Sequence, residues 1–320
     1  MKNHADFKND FYHFLVGFFM GCANVIPGVS GGTMLFIMGA FDKLINAIRE
    51  LISPANLRLL LKFRCKEWAQ KVDLRFLLFL FIGIGASFAT LTKVIVYLLG
   101  YHKLPTYAFF LGLVAASIYS VARQIKKWSV TVFISMMISA AAAFGIISLV
   151  PINPGDAWYI TLGCGAVCII AMILPGLSGS FLMLIFGQYD RVWNAVGNLT
   201  RFNTNREELA MLGFLLLGAG AGLGAFVHLL TFLLKRYYNV TMAALIGFMV
   251  GSLPRLWPFQ HDDPAHIIIK KGKAAATRII YDPPEFSRSG ALYWLCILSG
   301  IALVLLVEFI AHKKQQQKEI

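Results

Sequence analysis

The sequence predicts an all-α, polytopic integral membrane protein with inverted-topology repeats, each containing a re-entrant (broken) helix pair. Three observations predict it. Hydrophobic residues make up 58% of the 320 positions and charged residues 14%, against about 45–50% and about 25% in soluble domains. Mean hydropathy is +0.68. No soluble interior hides that much apolar surface, which excludes a soluble enzyme, a disordered chain and a disulfide scaffold. The apolar residues also fall into runs of helix length, and two of those runs are interrupted by matching Pro-Gly motifs.

The first run, residues 14–48, begins near Phe14 and passes through Asn24 and Pro27 before resuming, so it reads as mature membrane domain and not as a cleavable signal. It breaks at Pro27-Gly28-Val29-Ser30-Gly31-Gly32. A second broken run, 158–196, is interrupted at Pro175-Gly176-Leu177-Ser178-Gly179-Ser180. Proline removes a backbone donor and glycine permits unusual dihedrals, so the helix stops there. Each half is marginal for crossing alone, since a spanning helix needs about 20 apolar residues. Both runs therefore read as re-entrant hairpins, whose open backbone is tolerated at membrane depth only inside protein or beside a wet cavity.

The remaining elements follow in order. Residues 54–73 read as a basic amphipathic surface helix, attracted to anionic lipid. Residues 76–99, 106–122, 130–150, 209–234 and 291–311 read as spanning helices, and 240–253 as a short sixth bounded by Arg236 and Arg255. The thin runs 106–122 and 240–253 are expected inside the bundle. Within the loop 254–289, residues 265–281 read as a small external β-hairpin turning near Lys271-Gly272.

The chain is also a duplication, about 11–150 and 158–311. A shift of 148 residues lays Pro27-Gly28 on Pro175-Gly176, Ser30-Gly31 on Ser178-Gly179, Gly39 on Gly187 and Asp42 on Asp190. A shift of 135 then pairs Gly83 with Gly218, Gly112 with Gly247 and Ser117 with Ser252. If each broken run enters and leaves on one side, seventeen Lys and Arg share one face and three lie on the opposite short loops. The long loop 254–289 adds six more there, offset by four acids. By the positive-inside rule the richer face, with both termini, is cytoplasmic. The second repeat then runs opposite to the first, an arrangement typical of secondary transporters. These loops account for the net charge of +13, so no nucleic-acid partner is expected.

Pro27-Gly-Val-Ser-Gly-Gly-Thr33 exposes backbone amides at the start of a half-helix, which favours an anion. Gly28, Gly31 and Gly32 supply the open backbone, Ser30 and Thr33 hydroxyl donors and Asn24 an amide; the second copy offers Gly176, Ser178, Gly179 and Ser180. This is no nucleotide P-loop, because no Lys follows the glycines. Lys93 and His228 occupy equivalent positions inside apolar helices, where ionisable groups usually face a cavity or partner. Asp42 and Asp190 follow the half-helices and are candidates for coupling, for capping, or for pairing with Lys43 and Arg191. The fork of Arg191 suits phosphate. Gly218-Ala-Gly-Ala-Gly222-Leu-Gly224 reads as a close helix-packing seam. Cys164 and Cys168, one turn apart, read as packing. There is no catalytic constellation, metal-ligand spacing or cofactor motif, and the sequence assigns no oligomeric state.

The two motifs Asn24-Val-Ile-Pro-Gly-Val-Ser-Gly-Gly-Thr33 and Leu174-Pro-Gly-Leu-Ser-Gly-Ser-Phe181 resemble the bacterial and archaeal family of polyprenyl-phosphate translocases, and the resemblance covers about 11–311. It implies movement of undecaprenyl phosphate, or a related polyprenyl phosphate, between leaflets of the cytoplasmic membrane, with membrane lipids as surroundings. That activity recycles the carrier for peptidoglycan and other envelope polymers. The second motif departs in having Ser180 where the first has Gly32. Two other readings share the same residues: a transporter or channel for a small inorganic anion, and a membrane lipid phosphatase, which lacks an acid/base cluster. A structural scaffold leaves the paired breaks without a purpose.

Overall fold

The computed structural model describes residues 2–23, 31–149, 155, 157–262, 267–270, 273–276 and 279–316. The first broken run forms α1 (Lys2–Ala23), the short α2 (Gly31–Ile37) and the amphipathic α3 (Phe41–Ile52). Gly39, at φ +63°, turns the chain between α2 and α3. The half-helix after the break is therefore only seven residues long, shorter than the apolar run suggested, because the left-handed turn at Gly39 ends it.

The basic stretch forms two helices, α4 (Pro54–Leu61) and α5 (Cys65–Lys71), where the sequence suggested one; Phe63 sits between them at φ 55°. α6 (Leu74–Ala89) and α7 (Leu91–Tyr101) divide the expected span 76–99. No proline or glycine marks this interruption. At the break the Thr90 hydroxyl donates to the Ala86 carbonyl (2.7 Å). Then come α8 (Lys103–Ala122) and α9 (Val130–Ile147).

The second broken run has the same plan: α10 (Trp158–Ile173), α11 (Gly179–Ile185), a turn at Gly187 with φ +65°, and α12 (Tyr189–Thr200). α13 (Arg206–Arg236) and α14 (Tyr238–Ser252) follow, with a 3₁₀ turn at Leu253–Leu256. Antiparallel β1 (Gln260–Asp262) and β4 (Ile279–Tyr281) flank a second antiparallel pair, β2 (Ile267–Lys270) and β3 (Lys273–Ala276). The expected turn at Lys271-Gly272 lies outside the described residues. α15 (Arg288–Gln316) closes the chain. Among the described residues four helices are long and apolar enough to cross a membrane, five if α5 and α6, bent by 69°, count as one. The protein is a multi-pass membrane protein.

Glycine decides which helices approach. α1 lies along α6, and a Cβ on Gly17 or Gly83 would overlap the Leu80 or Phe14 carbonyl of the other helix. α10 lies along α13 in the same way, with Gly165 against the Leu215 carbonyl and Gly218 against that of Leu162. α8 packs along α15 and α9 along α14, so helices before residue 150 are interlocked with helices after 157. Two pairs of positions related by the 135-residue shift are alike. Thr106 and Thr241 each donate to the carbonyl four residues back, at 2.7 and 3.0 Å; Ser117 and Ser252 are both fully buried.

Charges gather where α1, α3 and α6 meet. Lys43 reaches Asp73 (3.1 Å) and His13 Nε2 (2.9 Å), and Arg75 reaches Asp10 (2.6 Å). The sequence offered Asp42 as the partner of Lys43. The fold supplies Asp73 from α6, because Asp42 faces outward on the first turn of α3.

α13 begins with a capping box in which Asn205 accepts from the Glu208 amide (2.8 Å) and Glu208 accepts from that of Asn205 (3.3 Å). Asn205→Ala is expected to cost about 1 kcal/mol, read as a lowered thermal midpoint in detergent, with transport unchanged.

Candidate functional site

The two breaks meet. α2 opens with Gly31, Gly32 and Thr33, all buried, and lies against the end of α10 and the residues after it. The Thr33 hydroxyl accepts a hydrogen bond from the Gly176 amide (3.2 Å). That amide lies just past the end of α10, and the bond joins the second break to a side chain at the start of α2. At Gly32 there is no room for a side chain, since the Ile173 carbonyl and Pro175 nitrogen occupy the place of its Cβ. Gly176, at φ +89°, faces the Phe248 carbonyl of α14, 2.5 Å from where a Cβ would stand. Gly179 packs on the Cys168 carbonyl and Met172. Gly32, Thr33 and Gly176 therefore form a tight contact between the two interrupted runs, and Gly179 closes α11 onto α10 within the second.

Polar groups stand at the start of α11, just after the second break. Ser178 and Ser180 hold their hydroxyls 2.8 Å apart, and Ser180 is exposed. The Arg255 guanidinium lies over the Phe181 ring, 5.5 Å from its centroid. Arg255 also acts on Tyr281 in β4: partial burial pushes that phenol up, and the arginine's positive charge pulls it back down. One cation thus stands between the start of α11 and the β-arm. Arginine suits such a place because its planar fork stacks on a ring and still donates to an anion.

A second polar knot lies further along. Arg191 donates to Gln188 Oε1 (3.1 Å), Thr161 approaches the same oxygen (3.5 Å), and Gln188 Nε2 donates to the Gly155 carbonyl (3.2 Å). Gln188 is buried at 1% exposure, so this knot ties α12 to α10 and holds Arg191 half-buried. Asp190 beside it is half-buried as well.

Of the other expected residues, Asn24, Gly28 and Ser30 lie outside the described residues. Lys93 falls in α7, its side chain also outside them. His228 is exposed on α13, with Nδ1 2.9 Å from the Gly224 carbonyl of its own helix. Arg255, Gln188 and Thr161 were not anticipated. Arg255 was visible as the charge that ends a short span, but its seat on Phe181 depends on a contact 74 residues back in the chain. Among the described residues no group of three or more His, Cys, Asp or Glu is placed to hold a metal ion.

Fold and site together define a class: a polytopic α-helical membrane protein in which two interrupted helices meet break to break beside hydroxyls and a cation. The chain belongs to the undecaprenyl phosphate translocase-like (VCA0040-like) family, whose model matches residues 20–273, both breaks included. It is 36% identical over 306 residues to a polyprenyl-phosphate transporter of Vibrio cholerae serotype O1, covering 94% of this chain and 96% of that one. It is 31% identical over 258 residues to a polyprenyl-phosphate transporter of Staphylococcus aureus, covering 76% and 85%. No solved structure gives a significant match. The family membership expected from the doubled motif holds.

Proposed function

We propose that this protein moves a polyprenyl phosphate, undecaprenyl phosphate in the first instance, across the cytoplasmic membrane, and that it does so without catalysing a covalent reaction. The observation that carries this reading is the contact of the two breaks through Thr33 and Gly176 (3.2 Å), in a chain whose relatives are named as transporters of that lipid. The physical problem is the headgroup. A phosphate in bare hydrocarbon costs on the order of tens of kcal/mol by Born solvation, whereas the polyprenyl chain is at home there. Two breaks in apolar helices supply polar backbone at the depth where the cost is greatest.

In this reading the headgroup is held by Ser178, Ser180 and Arg255 on one side of the contact. The first motif contributes Asn24, Gly28, Ser30 and Gly31 as further headgroup ligands. Arg191 and Lys93 supply further positive charge along the path; Asp42, Asp190 and His228 are the candidates for coupling. Residues 11–150 and 158–311 form two inverted repeats whose broken helices meet at the contact, the arrangement of many secondary transporters. Both termini are cytoplasmic, by the charge of the loops, and the β-arm is outside. Direct flow of a small inorganic anion is disfavoured, because the family and both relatives carry the name of a lipid phosphate.

The test is reconstitution into liposomes with fluorescent polyprenyl phosphate, reading the fraction reached by an impermeant quencher. The wild type is expected to exchange the lipid between leaflets while retaining entrapped chloride and phosphate and releasing no inorganic phosphate. Arg255→Gln and the double variant Ser178→Ala/Ser180→Ala are each expected to slow exchange about tenfold or more, the loss of one or two charge-assisted hydrogen bonds. Their elution and thermal midpoints should stay as in the wild type. Full-rate exchange by such folded variants removes the site; anion leakage without lipid exchange removes the function.

A further inference from the structure

A cavity of about 550 Å³ opens beside the first break, walled by α1, α2, α7, α8 and α15. Its lining is almost wholly apolar, with Phe19, Met34, Ile95, Leu98, Phe110 and Cys296 among its walls. Its size suits a ligand, yet it offers little for a polar molecule to hold.

Three observations say what fills it. It is lined by Ala23 and Met34, from the end of α1 and the first turn of α2, so it lies at the two helix ends that flank the first break. A lipid whose phosphate sits at the breaks must lead its chain away from there, and this is an apolar way out. Its rim is also apolar and exposed: Val94, Leu292 and Leu303 are 48%, 50% and 41% exposed, so it communicates with the surface that faces lipid. Finally, its α7 wall exists because the chain is interrupted at Thr90. The position 135 residues later, Ala225, lies inside the uninterrupted α13. The cavity is built where one helix departs from its counterpart.

Within a bilayer no hydrophobic gain drives an apolar chain into an apolar hole, because lipid tails are equally apolar. What a cavity offers is fit, since unfilled space forfeits dispersion contacts. Fit is what the task requires: every phosphomonoester lipid presents the same headgroup, and only the chain differs. Met34 and Met38 are adaptable walls for an irregular, methyl-branched chain.

Resting on the function proposed above, we propose that this cavity seats the first isoprene units of the carried lipid. It thereby selects polyprenyl phosphate over glycerophospholipids with the same phosphomonoester, such as phosphatidic acid. The seat is a chain-recognition site, separate from the hydroxyls and arginine that hold the phosphate.

The test uses the full chain in liposomes with fluorescent polyprenyl phosphate and fluorescent phosphatidic acid. The wild type is expected to exchange the first about tenfold faster than the second or more. Leu98→Trp, which fills the cavity from its rim, is expected to abolish that preference by slowing polyprenyl phosphate alone. A second measurement needs no variant. Cys22 and Cys296 line the cavity, and maleimide labelling of Cys296, mapped by mass spectrometry, is expected to fall when polyprenyl phosphate is added and to stay unchanged with phosphatidic acid. A wild type that moves neither lipid overturns the function. Equal exchange of both lipids, equal protection of Cys296 by both, or folded Leu98→Trp with an unchanged preference overturns the chain site and leaves the function standing.

Discussion

Gly32→Ala is expected to abolish lipid-phosphate exchange, although the variant adds a single methyl group. The methyl has nowhere to go. It would overlap the Ile173 carbonyl and approach the Pro175 nitrogen to 3.2 Å, and both are backbone atoms that no rotamer change can move. Relief requires α2 to withdraw from α10, which also breaks the hydrogen bond from Gly176 to Thr33. The stability cost belongs to overpacking, about 1–3 kcal/mol. The control is Gly39→Ala. Gly39 has φ +63° and no neighbour within 4 Å of an added Cβ, so alanine there costs about 1–2 kcal/mol of left-handed strain and disturbs no contact between the breaks. Two variants of similar thermal midpoint should thus differ sharply in exchange. Equal exchange in both would mean that the contact of the breaks has no part in transport. Thr33 provides a finer version: Thr33→Val removes the acceptor for Gly176, worth about 0.5–1.5 kcal/mol, and Thr33→Ser should restore it.

The largest loss of stability is expected at Gly218. Its missing side chain lets α13 touch the Leu162 carbonyl of α10, and Gly165 makes the reciprocal approach to Leu215. Alanine at 218 pushes two long helices apart along their whole contact, at about 3 kcal/mol, the upper end of the overpacking range. Gly220, two residues on, has nothing within 4 Å of an added Cβ. Gly220→Ala is therefore expected to stabilise the helix by about 0.5–1 kcal/mol. Thermal unfolding of the pair in one detergent checks both signs. A loss at 220 as large as that at 218 would show that helix flexibility, and not the seam, explains the glycines.

Much of this was legible from composition and pattern. Residues 130–150 and 209–234 are apolar for long enough that only a helix satisfies their backbone in lipid, and helices stand there. The breaks were legible because proline and glycine act locally, on the residue that carries them. Gly218 and Gly222 of the glycine-rich run do face α10, as expected of a packing seam. The interruption at Thr90 was not legible, because nothing in Ala89-Thr90-Leu91 forbids a continuous helix. Nor was the split of 54–73, where Phe63 adopts a positive φ that its residue type does not announce. Arg255 was read as the charged end of a short helix, and Lys43 as a neighbour of Asp42. Their partners, Phe181 and Asp73, come from other elements.

The sequence by itself determined that this is a multi-pass helical membrane protein, where two of its apolar runs are broken, and to which family it belongs. Each of those follows from local properties: transfer of apolar surface, the dihedrals of proline and glycine, and a motif repeated in order. Only the tertiary structure decided that the two breaks touch, that Thr33 answers the Gly176 amide, that an arginine rests on Phe181 at the start of α11, and that an apolar cavity opens between α1, α2, α7, α8 and α15. Those depend on the distance between atoms far apart in the chain, and spacing along a sequence sets no such distance until the helices have packed.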